Sequence, residues 1–183
     1  MSRRSVPHFV ASVACAVLIA APSQSASAQK SATFLDYTTT VPASWTSRPP
    51  ASSMRLAEYT TPVVNGAGAE VIVYYFGKGQ GGSPVANLAR WKGQFSNPDG
   101  GDVVEKVSHE AVADIALTIA EYRGTYARAV GAGSSAEDAR PNHELIAIVA
   151  ETPRGTIFFQ CFGPVAAVDA ARASYLAFVR GLR

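Results

Sequence analysis

Cysteine is nearly absent: Cys15 and Cys161 are the only two in 183 residues. Cys15 falls in an N-terminal stretch that reads as a removable leader, so one thiol remains. No internal disulfide can then form, and the fold must be held by its core alone. Histidine is almost as scarce, with His8, His109 and His143. His109-Glu110 and His143-Glu144 form two His-Glu pairs. A zinc-protease helix needs a second histidine four residues after the first, and Ala113 and Ala147 stand there. Both pairs fall on expected strands or their ends. They read as solvated or hydrogen-bonded histidines, and no metal or other cofactor is implied. The G-x-S-x-G elbow is missing, which argues against a serine hydrolase. Glu58, Glu70, Glu121 and Glu151 stand singly, so acid–base work has no carboxylate pair. No catalytic residue is assigned, and an enzyme is the less favoured class. Internal repeats and low-complexity segments are also missing.

Long apolar runs are few. Phe9–Ala21 is mostly apolar but too short for a membrane span. Arg3 and Arg4 precede it and Ala26-Ser27-Ala28 follows it, the order of a secretory signal. Residues 1–28 are therefore expected to be removed after Ala28, placing the protein in the periplasm or outside the cell. Arg3-Arg4 leaves the general and twin-arginine export routes both open. The mature chain would start at Gln29 and, with 28 of 183 residues gone, hold 155, the size of one domain. The leader holds two of the 16 Lys+Arg and none of the 14 Asp+Glu, so the mature chain carries 14 of each. A formal charge of zero, without a basic cluster, argues against nucleic acid and against an anionic membrane surface. No membrane span remains in the mature chain. About 155 residues can bury roughly 68–70% of their unfolded surface, enough for a core without staples.

What is present is organised around Glu70–Phe95. The run AEVIVYYF is a strand: Val71, Val73 and Tyr75 point one way, Ile72, Tyr74 and Phe76 the other. Both faces are apolar, so both need cover. GKGQGGS follows, with four glycines in residues 77–82. PVANLARWKGQF then reads as a helix, with Ser83 as its cap, Pro84 at its first position, and Leu88, Trp91 and Phe95 on one side. Gly77, Gly79 and Gly82 match the dinucleotide pattern G-x-G-x-x-G. That fold needs a parallel strand ending in an acidic residue about 20 residues on, and SNPDGGD, a loop, stands there instead. A plain flexible connection competes with an anion-binding loop. The candidate ligand residues are Gly77, Lys78, Gly79, Gln80, Gly81, Gly82 and Ser83, with Arg90 and Trp91 beyond them.

Elsewhere the chain reads mainly as strands. Val41 and Trp45 are expected core anchors, and Arg48-Pro49-Pro50 a stiff connector. Met54–Thr60 is a strand forming a hairpin with Glu70–Phe76, turned near Asn65-Gly66. Val103–Val112 and Ile115–Tyr126 are strands hinged at Ala113-Asp114. Ala127–Asn142 is a long polar connection, either functional or mobile. Leu145–Glu151 and Thr156–Phe162 form a hairpin across Thr152-Pro153-Arg154-Gly155. Cys161 alternates with Ile157 and Phe159, so it belongs to an apolar face rather than to a Cys161–His143 nucleophile. Pro164–Leu182 is a helix with Val168, Ala171, Tyr175, Phe178 and Leu182 in one stripe. One mostly antiparallel sheet with helices on both faces follows, an α+β fold built as a three-layer α/β/α sandwich.

VPASW, PPASSMRLAEY, GGSPVANLARWKGQF, RGTYA and FFQCFGPVAAVDAARASYLAFVRGLR resemble segments of small exported bacterial proteins of unknown function. Those in turn resemble the PsbP-like sandwiches, a group that includes the photosystem II extrinsic protein P and a nuclear-import factor that binds the Ran GTPase. The resemblance spans most of residues 29–183 and implies a single PsbP-like domain. It implies no catalytic residue. Its best-known members bind protein complexes, but this chain lacks the context of either, so their partners do not transfer; with export expected, the expected partner is an envelope protein or complex. Two functions stay open: a non-catalytic envelope binding or assembly module, and a small-ligand or phosphate-binding protein using Gly77–Ser83.

Overall fold

The structure is a computed structural model that describes residues 30–127 and 139–183. The expected leader, residues 1–28, lies outside the described residues. So does most of the expected connection, since 128–138 are not described.

Two short strands open the described chain, β1 (Lys30–Phe34) and β2 (Tyr37–Val41), paired as a hairpin. The sequence reading did not find them, because their turn has no glycine and is made by Leu35 at φ 55°. Then come β3 (Thr46–Arg48), β4 (Arg55–Thr60), β5 (Glu70–Tyr75) and helix α1 (Pro84–Lys92). The two-residue β6 (Phe95–Ser96), β7 (Val104–Val112), β8 (Ile115–Tyr126), β9 (Arg140–Thr152), β10 (Gly155–Pro164) and α2 (Val165–Arg180) complete it. The main sheet has eight strands in the order β3-β4-β5-β10-β9-β8, with β6 and β7 both on the far side of β8. Every pairing is antiparallel.

Expectation and structure agree on both long hairpins. Three local corrections follow from geometry. Phe95 is not on the helix: α1 stops at Lys92, and Phe95 pairs with Tyr126 in β6. A Cβ on Gly124 would lie 2.4 Å from the Ser96 carbonyl oxygen, so glycine is what lets β6 approach β8. Arg48 belongs to β3 rather than to a connector. Residues 140–142 belong to β9 rather than to the long loop.

Alternation divides the core into two. On one face Val71, Val73, Ile115, Leu117, Ile119, Ile146, Ile148, Ile157, Phe159 and Cys161 pack against α2 and the β1-β2 hairpin. Phe178 is the centre of that layer, with the rings of Phe34, Trp45, Tyr59 and Phe159 all within 6.1 Å of its own. The hairpin is tied to the C-terminus by reciprocal backbone bonds between Thr38 and Arg183. On the other face Ala120, Tyr122, Leu145, Ala147, Val149 and Phe158 pack against Trp91 and Phe95. Doubly apolar strands are thus covered on both sides, giving the three-layer α/β/α sandwich.

Candidate binding surface

The glycine loop sits where β5 leaves the sheet and α1 begins. Ser83 caps the helix, its Oγ accepting from the Ala86 N–H at 3.2 Å. Gly81 has φ 95°, and a Cβ there would lie 2.7 Å from the Phe158 ring. A residue with a side chain is therefore excluded on both backbone and packing grounds. Asn87 is buried beneath the loop. Its Nδ2 donates to the carbonyls of Gly81 at 2.8 Å and Ser83 at 2.9 Å. Its Oδ1 accepts from Arg90 Nη2 at 2.6 Å, and the guanidinium also lies 5.9 Å from the Trp91 ring centre. Lys78, Gly79 and Gln80 are exposed at the tip. The named loop residues thus lie at the start of α1, while Arg90 sits in its last turn and only its guanidinium reaches back to Asn87. The groups gathered at Asn87 are carbonyls, whereas an anion nest gathers amides. The neighbours of β5 are β4 and β10, both antiparallel, so no parallel β-α-β unit follows the loop.

A second constellation lies on the α2 face, where β8 and β9 run past the helix. Inward positions that carry Ile119 and Ile146 further along the strands carry Glu121, Arg123 and Glu144 here. Glu144 is fully buried. Arg172 on α2 donates to Glu144 Oε1 and to Glu121 Oε2, each at 2.5 Å. Arg123 Nη2 lies 2.5 Å from Asp169 Oδ1 and 3.1 Å from Glu144 Oε2. The second contact is an ion pair by distance only, since Oε2 has no aligned hydrogen-bond donor. Burial raises the Glu144 carboxyl above its usual value, and the two guanidiniums only partly offset this. Burial pulls the Arg172 guanidinium down, but Glu121, Glu144 and Asp169 together lift it above its ordinary value. An open hollow of about 390 Å³ lies beside this network, lined by Val104, Lys106, Glu121, Arg123 and Arg172. From the sequence, Glu121 reads as a lone acid and Glu144 as half of a His-Glu pair. The usable signal was Glu121 and Arg123 continuing the inward series Ile115, Leu117, Ile119.

The remaining candidates separate. Cys161 is fully buried, and burial pushes its thiol up to about 12. His143 lies tilted against Phe162, ring centres 5.3 Å apart, on the opposite face of the sheet from Cys161. A Cys161–His143 nucleophile is therefore not assembled. His109 Nδ1 bonds Thr118 Oγ1 at 3.2 Å, and His143 Nδ1 bonds the Pro141 carbonyl at 2.8 Å. Among the described residues no three metal-ligating side chains converge. No helix among them is long and apolar enough to cross a membrane.

An eight-stranded antiparallel sheet between one helix and a helix-plus-hairpin layer defines the class of protein. Among solved structures, the chain is similar to cyanobacterial PsbP (CyanoP) from Synechocystis sp. PCC 6803, determined in solution. The TM-score is 0.55 at 11% identity, over 91% of this chain and 98% of that one. The fold is PsbP-like. No protein-family model matches the sequence, and no curated protein does.

Proposed function

We propose that this protein is an exported, non-catalytic binding or assembly module of the bacterial cell envelope, and that its partner is an envelope protein or complex. The observation that carries this reading is the open hollow between β7 and α2. It is open and lined by both apolar and charged side chains: Val104 is 61% exposed, and Lys106 reaches into solvent beside Glu121, Arg123 and Arg172. Protein surfaces dock on ground of this kind, whereas small molecules favour enclosed apolar pockets. The charged groups are already engaged: Glu144 is held between two guanidiniums and Arg172 among three carboxylates. Groups tied in this way are poorly placed for proton transfer, which needs a free acid or base near neutral pH. The PsbP-like fold adds support by analogy alone.

The test is photo-crosslinking in living cells from a probe at Val104, with Val63, exposed in the connection between β4 and β5, as the control. A discrete adduct between Val104 and a protein other than this chain, missing from Val63 and lost on Lys106→Glu, is the expected result. Identical patterns from the two positions overturn the assignment of the hollow.

A further inference from the structure

The sheet ends differently at its two edges. β3 closes one edge with three polar residues. β7 closes the other with nine, VEKVSHEAV, and among the described residues no strand pairs with its outer side. Seven of those nine residues are exposed, Val104 by 61% and Val107 by 40%. Its pairing with β8 runs unbroken from Val104↔Arg123 to Val112↔Ile115, with no bulge. Proline is missing from it too. A long, regular, valine-bearing edge is a template for a further strand.

We propose that β7 pairs antiparallel with β7 of a second copy of this chain, about a two-fold axis at Ser108. The charges select this occupant and this register. Antiparallel pairing of two copies places the axis perpendicular to the sheet, so opposed residues keep the same face and the axis must fall on a residue. With the axis on Lys106, that lysine meets its own copy. With the axis on Val107, Lys106 meets Ser108 and Glu110 meets Val104. With the axis on His109, that histidine meets its own copy and Lys106 meets Val112. With the axis on Ser108, Lys106 meets Glu110 twice and Val104 meets Val112 twice. Glu105 then faces Ala111 and Val107 faces His109, so no like charges are opposed.

Both ionic groups have capacity left. Lys106 is 72% exposed and touches Glu121 only at 3.5 Å. Glu110 accepts two bonds from Arg180, at 2.8 Å and 3.0 Å, and a carboxylate has about four acceptor sites. Nine opposed pairs give about eight to ten new backbone hydrogen bonds, since bonded and non-bonded pairs alternate. The inference does not rest on the hollow as a docking site, because the seam is made by the backbone edge of β7.

Sedimentation of the purified protein, with no partner present, tests it. A concentration-dependent dimer is expected. Lys106→Glu or Glu110→Lys alone replaces two attractive cross-strand pairs with two repulsive ones, weakening dimerisation by about tenfold or more. The double exchange Lys106→Glu/Glu110→Lys restores both cross-strand pairs while giving up the Glu121 and Arg180 contacts within each copy, so it should dimerise more strongly than either single variant, which also shows that the altered chains fold. Ser108→Cys should link two copies on mild oxidation, and Ala111→Cys, facing Glu105, should not. A monomer at every concentration overturns the proposal, as does a dimer indifferent to both single charge changes.

Discussion

Glu58 and Glu144 are both buried carboxylates, and their surroundings move them in opposite directions. Glu58 accepts from the Ala51 N–H at 2.6 Å and from Arg55 at 2.9 Å. The backbone donor, followed by Arg55, holds it below the usual carboxylate value despite its burial. Its folded value lies below its unfolded value. Its contribution is thus present above the unfolded value and is lost as pH falls through the folded one. Urea melts at about pH 6 and about pH 3 should show wild type losing more stability on acidification than Glu58→Gln. Equal losses would remove Glu58 from the acid response. Glu144 has the reverse sign: raised in the fold, it weighs against stability as pH climbs from its unfolded value toward its folded one. Cys161 gives a second prediction. Its buried thiol should react slowly with a thiol reagent in the native protein and fast after unfolding. Cys161→Ser should cost about 1–3 kcal/mol, since the hydroxyl enters an apolar site. Rapid labelling of the folded protein would restore the nucleophile reading.

At the scale of elements, α1 and its preceding loop have separate duties. Trp91 is 2% exposed and packs edge-on against Phe158 at 6.4 Å. Trp91→Ala should therefore cost about 3–5 kcal/mol, measured by chemical denaturation. That is a large part of the roughly 5–15 kcal/mol that holds a domain folded. Lys78 is exposed, and Lys78→Ala should leave stability within about 0.5 kcal/mol. Phosphate should not raise the melting temperature of either protein, because the loop's carbonyls, not its amides, converge on Asn87. A saturable shift that needs Lys78 would return the loop to the list of binding sites. The sequence announced the start of α1 through Ser83 and Pro84, because caps act through neighbours three residues away. It did not announce the end, where Phe95 keeps helical spacing yet turns into β6. That choice depends on Gly124, some thirty residues away in the chain.

For the whole molecule, export is the outstanding expectation. Protein purified from its native host should begin at Gln29, and an intact mass retaining residues 1–28 would refute the leader. Composition and local pattern were enough to determine the architecture. Two-sided apolar alternation in Glu70–Phe76 and Leu145–Glu151 requires two covering layers, and among the described residues α1 and α2 supply most of them. Turn chemistry at Asn65-Gly66 and Pro153-Arg154 marked the β4-β5 and β9-β10 hairpins. These are short-range rules, so one chain read in order contains them. The β5-β10 and β8-β9 pairings that join the hairpins into one sheet came only with the tertiary structure. The candidate binding surface was not legible. Glu121, Arg123, Glu144, Asp169 and Arg172 come from three elements as many as 51 residues apart, and each alone resembles an ordinary surface charge. Only the packing of α2 across β8 and β9 brings them within ion-pair distance and buries Glu144 completely. The exposed edge likewise belongs to the sheet rather than to the strand. VEKVSHEAV alternates like any β-strand, and whether its outer hydrogen bonds are met is decided by the order in which the other strands assemble.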